Sequence, residues 1–440
     1  MKTTMEGGSV ISVMGLLGAV LWLGCGSPDP WAPGGTGKVV NIDELVAKAR
    51  EGDQFSAVHL GWRYDTGTGV VQDYEKAYQW YYTAAEDGHS MARNNLGCMY
   101  RDGRGVEQDY KEAARLFQLA AEQGNAHAQT NLGWLYERGY GVKQDYAEAV
   151  RLYKQAARPR RYVEGKSYMP GHAFAQNNLG CLLRDGRGAK RNLTEALRLF
   201  RRAAQQKNPH ALHNLGVMYE FGLGVKSNGQ AAVQYYHQAA REGVVQAWVN
   251  LGMMFDQGSG VPVDHPQAFR LYMEGAKAGH AMAMHNVAVA YRDGRGVKQD
   301  WVTAYEWYRQ ASEKGNAYAQ ASLAWLYETG KGVEQNDAAA AKWNRAAAEQ
   351  GLTVAQLNLG LFYYNAVGVP IDLVRAHKWL ALAEQFGHQG VAKLREDVEA
   401  KLKPNELLRA QQMAEEFKAA PVVEEFTAPA PARPRETAGP

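Results

Sequence analysis

The chain has 440 residues, 22% of them charged, and a formal net charge of +3 with both signs mixed along the sequence. This balance lacks the basic stripe typical of nucleic-acid binding, and no run of 18 apolar residues is present, which argues against nucleic acid as a partner and against a membrane span. One compact core rarely accommodates so long a chain, so several domains or a repeat architecture are expected.

Residues 1–25 are predicted to be a signal peptide. Lys2 precedes a 14-residue apolar stretch that ends at Leu23 and is followed by Gly24 and Cys25. This length fits the core of a signal peptide better than a spanning helix. A small residue followed by cysteine resembles the bacterial lipoprotein signal. The resemblance implies lipidation of Cys25 and a location in the cell envelope, in the periplasm or on a membrane. Ordinary secretion and an uncleaved anchor are the alternatives.

Two short segments separate this signal from the main part of the chain. Residues 26–41 are rich in glycine and proline and are predicted to be a flexible tether. Residues 42–51 follow and predict one short helix. If Cys25 carries lipid, the tether links the membrane to the domain that begins with this helix.

A short pattern then recurs through most of the chain. Its marker is the second residue of a Leu-Gly pair, which falls at positions 61, 97, 133, 180, 216, 252, 288, 324 and 360. Seven of the eight intervals are 36 residues, and the other is 47 because it contains an 11-residue insertion. A fixed period of this length predicts repeated units that each pack on their neighbours.

Each unit predicts two helices, called here helix A and helix B. In the second unit Ala92, Leu96, Met99 and Tyr100 lie on one face of helix A. A loop with two glycines ends that helix, because glycine adopts the positive φ of a helix C-terminus. An Asp or Asn then caps helix B in all nine units. The capping residues are Asp73, Asp109, Asp145, Asn192, Asn228, Asp264, Asp300, Asn336 and Asp372.

The pattern Ala-x-x-x-Leu-Gly-x-x-Tyr-x-x-Gly-x-Gly-Val-x-x-Asp-Tyr-x-x-Ala resembles that of Sel1-like repeats, relatives of the tetratricopeptide repeats. The resemblance and the short loops imply an all-α fold, a right-handed α/α superhelical solenoid of about nine helix-pair repeats with a concave groove. Residues 391–420 are expected to form capping helices and residues 421–440 a disordered Pro/Ala tail. The array is expected at 42–390, with repeats near 56–91, 92–127, 128–174, 175–210, 211–246, 247–282, 283–318, 319–354 and 355–390.

The 11-residue insertion lies within residues 158–172, called here the inserted segment, at the end of the third repeat. Pro159 and Pro170 prevent a continuous helix there. We therefore expect a basic loop between two repeats. It is either a tolerated surface insertion or a contact for a partner.

The residue before the Leu-Gly pair is asparagine in seven repeats. A carboxamide offers both a donor and an acceptor, which matches a peptide unit. In related arrays this position faces the groove. Either the row holds the backbone of an extended peptide, or each asparagine hydrogen-bonds to the neighbouring repeat. The candidate peptide-binding residues are Asn95, Asn131, Asn178, Asn214, Asn250, Asn286 and Asn358.

The sequence carries none of the common catalytic signatures, such as His-Glu-x-x-His, Gly-x-Ser-x-Gly or Cys-x-x-Cys. His210 and His213 are one helical turn apart, but no third metal ligand accompanies them. Cys98 and Cys181 occupy an apolar position in repeats that are two units apart, so no disulfide between them is expected. We predict no catalytic residue, no cofactor and no metal.

These observations predict a non-catalytic scaffold or adaptor, in monomeric form, that binds a protein or peptide in its groove at the bacterial cell envelope. A scaffold for polysaccharide export is one alternative, since some lipoproteins with such repeats act there. A β-lactam- or peptidoglycan-directed hydrolase is another, because distant repeats could still assemble a triad. If the N-terminus is not a signal, a cytosolic signalling adaptor is a third.

Overall fold

The computed structural model describes residues 41–161, 168–169, 171–385 and 390–419. The predicted signal peptide with Cys25, nearly all of the tether and the Pro/Ala tail lie outside these residues. The described chain forms two compact units, residues 41–227 and residues 228–419. Each is an array of helix pairs, as expected for an all-α solenoid, and each is described separately.

The unit of residues 41–227 begins with one short helix and continues as alternating A and B helices. Helix pairs α2–α3, α4–α5, α6–α7 and α8–α9 are repeats 1 to 4, and α10 is helix A of repeat 5. The helices are α1 Ile42–Arg50, α2 Gln54–Thr66, α3 Tyr74–Glu86, α4 Ser90–Asp102, α5 Tyr110–Glu122, α6 Ala126–Arg138, α7 Tyr146–Ala156, α8 Ala173–Asp185, α9 Leu193–Gln205 and α10 Pro209–Glu220.

The unit of residues 228–419 contains helix B of repeat 5, then repeats 6 to 9, then two further helices. Its A helices contact one another, α12 with α14 and α14 with α16. The helices are α11 Gly229–Arg241, α12 Val245–Gln257, α13 His265–Lys277, α14 Ala281–Asp293, α15 Trp301–Glu313, α16 Ala317–Thr329, α17 Asp337–Glu349, α18 Thr353–Asn365, α19 Leu373–Gln385, α20 Ala392–Glu399 and α21 Pro404–Glu415.

The start of every B helix is fixed by a side-chain cap, as the sequence predicts. Asp73 Oδ1 accepts a hydrogen bond from the backbone N–H of Lys76 at 3.0 Å. Asp372 Oδ1 accepts from the backbone N–H of Arg375 at 2.9 Å. The seven intervening Asp and Asn residues accept equivalent bonds. The expected capping role is therefore confirmed in all nine repeats.

The glycine of the Leu-Gly pair lets helix A approach helix B of its own repeat. A Cβ atom on Gly97 would lie 2.8 Å from the ring of Phe117, which is fully buried. Gly133 meets the ring of Tyr153 in the same way. The glycine of the Leu-Gly pair thus serves to bring two helices into contact in the core.

The inserted segment connects α7 to α8, and it contains a small amount of regular structure that the sequence does not predict. Strands β1 Arg160–Arg161 and β2 Tyr168–Met169 pair antiparallel, with Arg160 opposite Met169. Elsewhere in this unit Cys181 has a free thiol.

Candidate interaction surface

The asparagine row lies mostly inside the protein. Asn131 is 1% exposed, whereas Asn95 and Asn358 are only partly buried. Contact with a bound peptide would therefore be direct at these two positions. The buried members of the row are Asn131, Asn178, Asn214, Asn250 and Asn286.

Asn131 connects repeats 2 and 3 through its carboxamide. Its Nδ2 donates to Asn94 Oδ1 at 2.9 Å, and its Oδ1 accepts from Arg101 Nη1 at 3.2 Å. Arg101 is only 5% exposed and also donates to Asp102. Bonding to the neighbouring repeat, the second of the two hypotheses for the row, thus describes this residue.

The same arrangement recurs between repeats 4 and 5. Asn214 Nδ2 donates to Asn177 Oδ1 at 2.9 Å, and Asn214 Oδ1 accepts from Arg184 Nη1 at 3.0 Å. The two clusters are alike because residues 94–105 and 177–188 differ at only two of 12 positions. That near-identity is the sequence signal that could have revealed them.

Asn131→Ala is expected to lower the free energy of unfolding by about 1–3 kcal/mol, because it removes the buried hydrogen bonds that Asn94 and Arg101 make with this carboxamide. Asn358→Ala is the matched control. It removes a partly exposed carboxamide and should stay within about 0.5 kcal/mol of the unchanged protein. Urea unfolding of both variants, followed by circular dichroism, measures the difference. Equal losses would contradict the structural role of Asn131.

Ion pairs between repeats form a second set of contacts that the sequence analysis missed. The arginine between the two loop glycines reaches an acidic residue of the preceding repeat. Arg104 pairs with Asp65, and Arg295 Nη1 lies 3.1 Å from Asp256 Oδ2. Burial raises the pKa of Asp65 above its usual value, although Arg104 acts in the opposite direction. These pairs fix the register of neighbouring repeats.

The second loop glycine has a role of its own. A Cβ atom on Gly188 would overlap the backbone carbonyl of Tyr146, the first residue of helix B in the preceding repeat. Gly332 and Trp301 have the same relation. Only glycine permits this approach, which brings the residue between the two loop glycines over an aromatic ring.

Burial keeps His210 and His213 neutral near neutral pH. Burial lowers the pKa of His210 to about 4, and burial with the neighbouring charges of His210 and Arg184 lowers that of His213 to about 3. Within the described ranges no group of three or more His, Cys, Asp or Glu side chains could hold a metal ion.

The helices described here also include none that is long and apolar enough to cross a membrane.

The profile of the Sel1 repeat family matches the chain nine times. The matched residues are 55–89, 90–125, 126–158, 173–208, 209–244, 247–280, 281–316, 317–352 and 353–385. The chain belongs to the Sel1 repeat family. Sel1 repeat proteins generally serve as non-catalytic scaffolds for protein interactions. The inserted segment falls between the third and fourth matches.

Two solved structures illustrate the likeness. A Sel1 repeat protein from Oxalobacter formigenes is 30% identical, with 73% of this chain and 89% of that chain covered and a TM-score of 0.53. The c5321 protein of uropathogenic Escherichia coli, a protective antigen with an SLR fold, is 29% identical, with 86% and 94% covered and a TM-score of 0.45. No curated protein matches this Sel1 repeat chain.

Proposed function

We propose that this Sel1 repeat protein is a non-catalytic scaffold that binds a protein or peptide along its A helices at the bacterial cell envelope. The observation that carries the proposal is the extent of the array, since nine repeats occupy residues 55 to 385. A long row of similar helices provides an extended recognition surface.

Each unit has a proposed contact surface, called its A-helix face, which consists of the second residue of each of its A helices. It also includes Asn95 in the unit of residues 41–227 and Asn358 in the unit of residues 228–419. Several of these second residues are large, and most are partly exposed. Phe55 is 60% exposed and stacks edge-on against His89, with ring centroids 5.1 Å apart. The other partly exposed members are Met91, His127, Phe174, His210, Tyr318 and Val354.

The location at the envelope rests on the N-terminal sequence. The apolar stretch followed by Gly24 and Cys25 supports export, and a lipid on Cys25 would hold the array at a membrane. The partner is then expected among envelope proteins, and crosslinking in intact cells is the suitable way to capture it.

The test is a crosslinked pull-down from intact cells with two baits, the unchanged protein and the double variant Asn95→Ala/Asn358→Ala. Both positions are partly exposed, but Asn95 Oδ1 accepts a hydrogen bond from the buried Asn94 Nδ2 at 3.1 Å, so circular dichroism must first show that the variant keeps its helicity. We expect a partner of the unchanged protein to be depleted with the variant. Tyr82→Ala, on the exposed surface of helix B, is the control and should retain that partner. Equal capture by all three baits would contradict binding along the A helices.

A further inference from the structure

The loop between helix A and helix B places a cation on aromatic rings in repeat 8. Lys331 lies between the two loop glycines, and its Nζ is 4.7 Å from the ring centroid of Trp301 and 4.8 Å from that of Trp325. Trp301 is the first residue of helix B in repeat 7, so the contact joins two repeats. An ammonium group in this position is attracted by the faces of both indoles.

Repeats 2 and 4 use the same arrangement with arginine. The guanidinium of Arg104 is 5.9 Å from the ring centroid of Tyr74, and that of Arg187 is 5.4 Å from the ring centroid of Tyr146. Each tyrosine is the first residue of helix B in the preceding repeat. In repeats 2, 4 and 8 a cation of the loop therefore lies over the first aromatic residue of the preceding helix B.

Repeat 3 differs because Tyr140 stands where repeats 2, 4, 7 and 8 carry Lys or Arg. Its ring lies 5.0 Å from that of Tyr110 and 5.4 Å from that of Trp134. Tyr110 and Trp134 are the equivalents of Trp301 and Trp325. Tyr140 is 41% exposed, so the cluster presents an aromatic face to solvent.

We propose that the cluster of Tyr110, Trp134 and Tyr140 is a docking point for a lysine or arginine side chain of a protein partner. The two rings that hold Lys331 in repeat 8 have their equivalents here, but the ring of Tyr140 covers them and the loop supplies no cation. A cation from outside would be attracted by the exposed ring of Tyr140, as Lys331 is attracted by the indole rings within the chain. This inference rests on the proposed scaffold function and assigns it a specific contact.

The direct test uses the full-length protein labelled with 5-fluorotryptophan, followed by fluorine NMR. The Trp134 signal is assigned from its loss in Trp134→Phe. N-acetyl-lysine methylamide is the probe, and N-acetyl-norleucine methylamide is its neutral analogue. We expect a saturable shift of the Trp134 signal and a dissociation constant about 2- to 5-fold lower for the cationic probe.

Tyr140→Lys is the decisive variant, because it places an ammonium group between the rings as repeat 8 does. It should abolish the shift of the Trp134 signal. Tyr82→Lys, at another exposed tyrosine that stacks on Tyr78, is the matched control and should leave the titration unchanged. Equal shifts with both probes, or an unaltered titration in Tyr140→Lys, would overturn the proposal.

The pull-down separates this inference from the scaffold function on which it rests. A partner that is captured by the unchanged protein and lost with Tyr140→Lys supports both. A partner that Tyr140→Lys retains in full overturns the docking point and leaves the scaffold function standing. If no bait captures a partner, the scaffold function fails, and the NMR titration alone decides whether the cluster binds cations.

Discussion

Gly188→Ala is expected to destabilise the unit of residues 41–227 by about 2–5 kcal/mol, as two penalties act together. Gly188 has a φ of +67°, in the left-handed region that favours glycine. Its Cβ would also overlap the carbonyl oxygen of Tyr146 in the preceding repeat. Because that neighbour is backbone, it cannot rotate aside, and the two repeats must separate.

Gly52→Ala is the control that isolates the first penalty. Gly52 lies in the same unit and has a φ of +97°, but a Cβ there would meet nothing within 4 Å. The expected loss is about 1–2 kcal/mol, which is the cost of the left-handed conformation alone. Urea unfolding followed by circular dichroism compares the two variants. Losses of the same size would show that the close approach at Tyr146 contributes nothing.

The sequence predicts the local features of this fold well. A helix cap depends on one side chain and a backbone N–H two or three residues away, so the Asp and Asn positions could be assigned without knowledge of the packing. The same holds for the loop glycines that end helix A, such as Gly103, which has a φ of +68°. The period of 36 residues then predicts that this pair of helices recurs along the chain.

Contacts between repeats were harder to predict, because they depend on the register of one repeat against the next. Arg104 and Asp65 are 39 residues apart, which differs from the repeat period, so the spacing alone did not connect them. The asparagine row shows the same difficulty. Periodicity places Asn131 on helix A, but only packing shows that its carboxamide is enclosed by Asn94 and Arg101.

The candidate site could be predicted only in outline. Helix A was identified from its apolar spacing, and its partly exposed side chains follow from that assignment. The aromatic cluster at Tyr140 cannot be predicted from this assignment, because Tyr110, Trp134 and Tyr140 belong to three separate elements. These three side chains can come into contact only because the second loop glycine, Gly141, lies directly against the backbone of Tyr110. A sequence signal does exist, namely a tyrosine at the loop position where repeats 2, 4, 7 and 8 carry Lys or Arg.

Arg104→Met is expected to lower the free energy of unfolding by about 3–5 kcal/mol near neutral pH, because it leaves Asp65 buried without its cation. Asp65 is only 4% exposed, and the nearby charge of Asp102 already opposes its ionisation. Urea unfolding at several pH values measures the loss. Methionine keeps most of the length and apolar contact of the arginine stem, so the change tests mainly the charge.

The pH dependence of this loss distinguishes a buried charge from a lost packing contact. Burial already raises the pKa of Asp65 in the folded protein, and removing Arg104 raises it further. An acid with a raised folded-state pKa costs stability above that pKa, and the cost disappears as protonation proceeds at lower pH. The deficit of Arg104→Met should therefore shrink as the pH falls through the raised folded-state pKa of Asp65 toward the ordinary pKa of the unfolded chain. The double variant Asp65→Leu/Arg104→Met, which replaces the pair by apolar side chains, should regain most of the stability at neutral pH. A deficit that stays constant with pH, or persists in the double variant, would show that Arg104 contributes by packing alone.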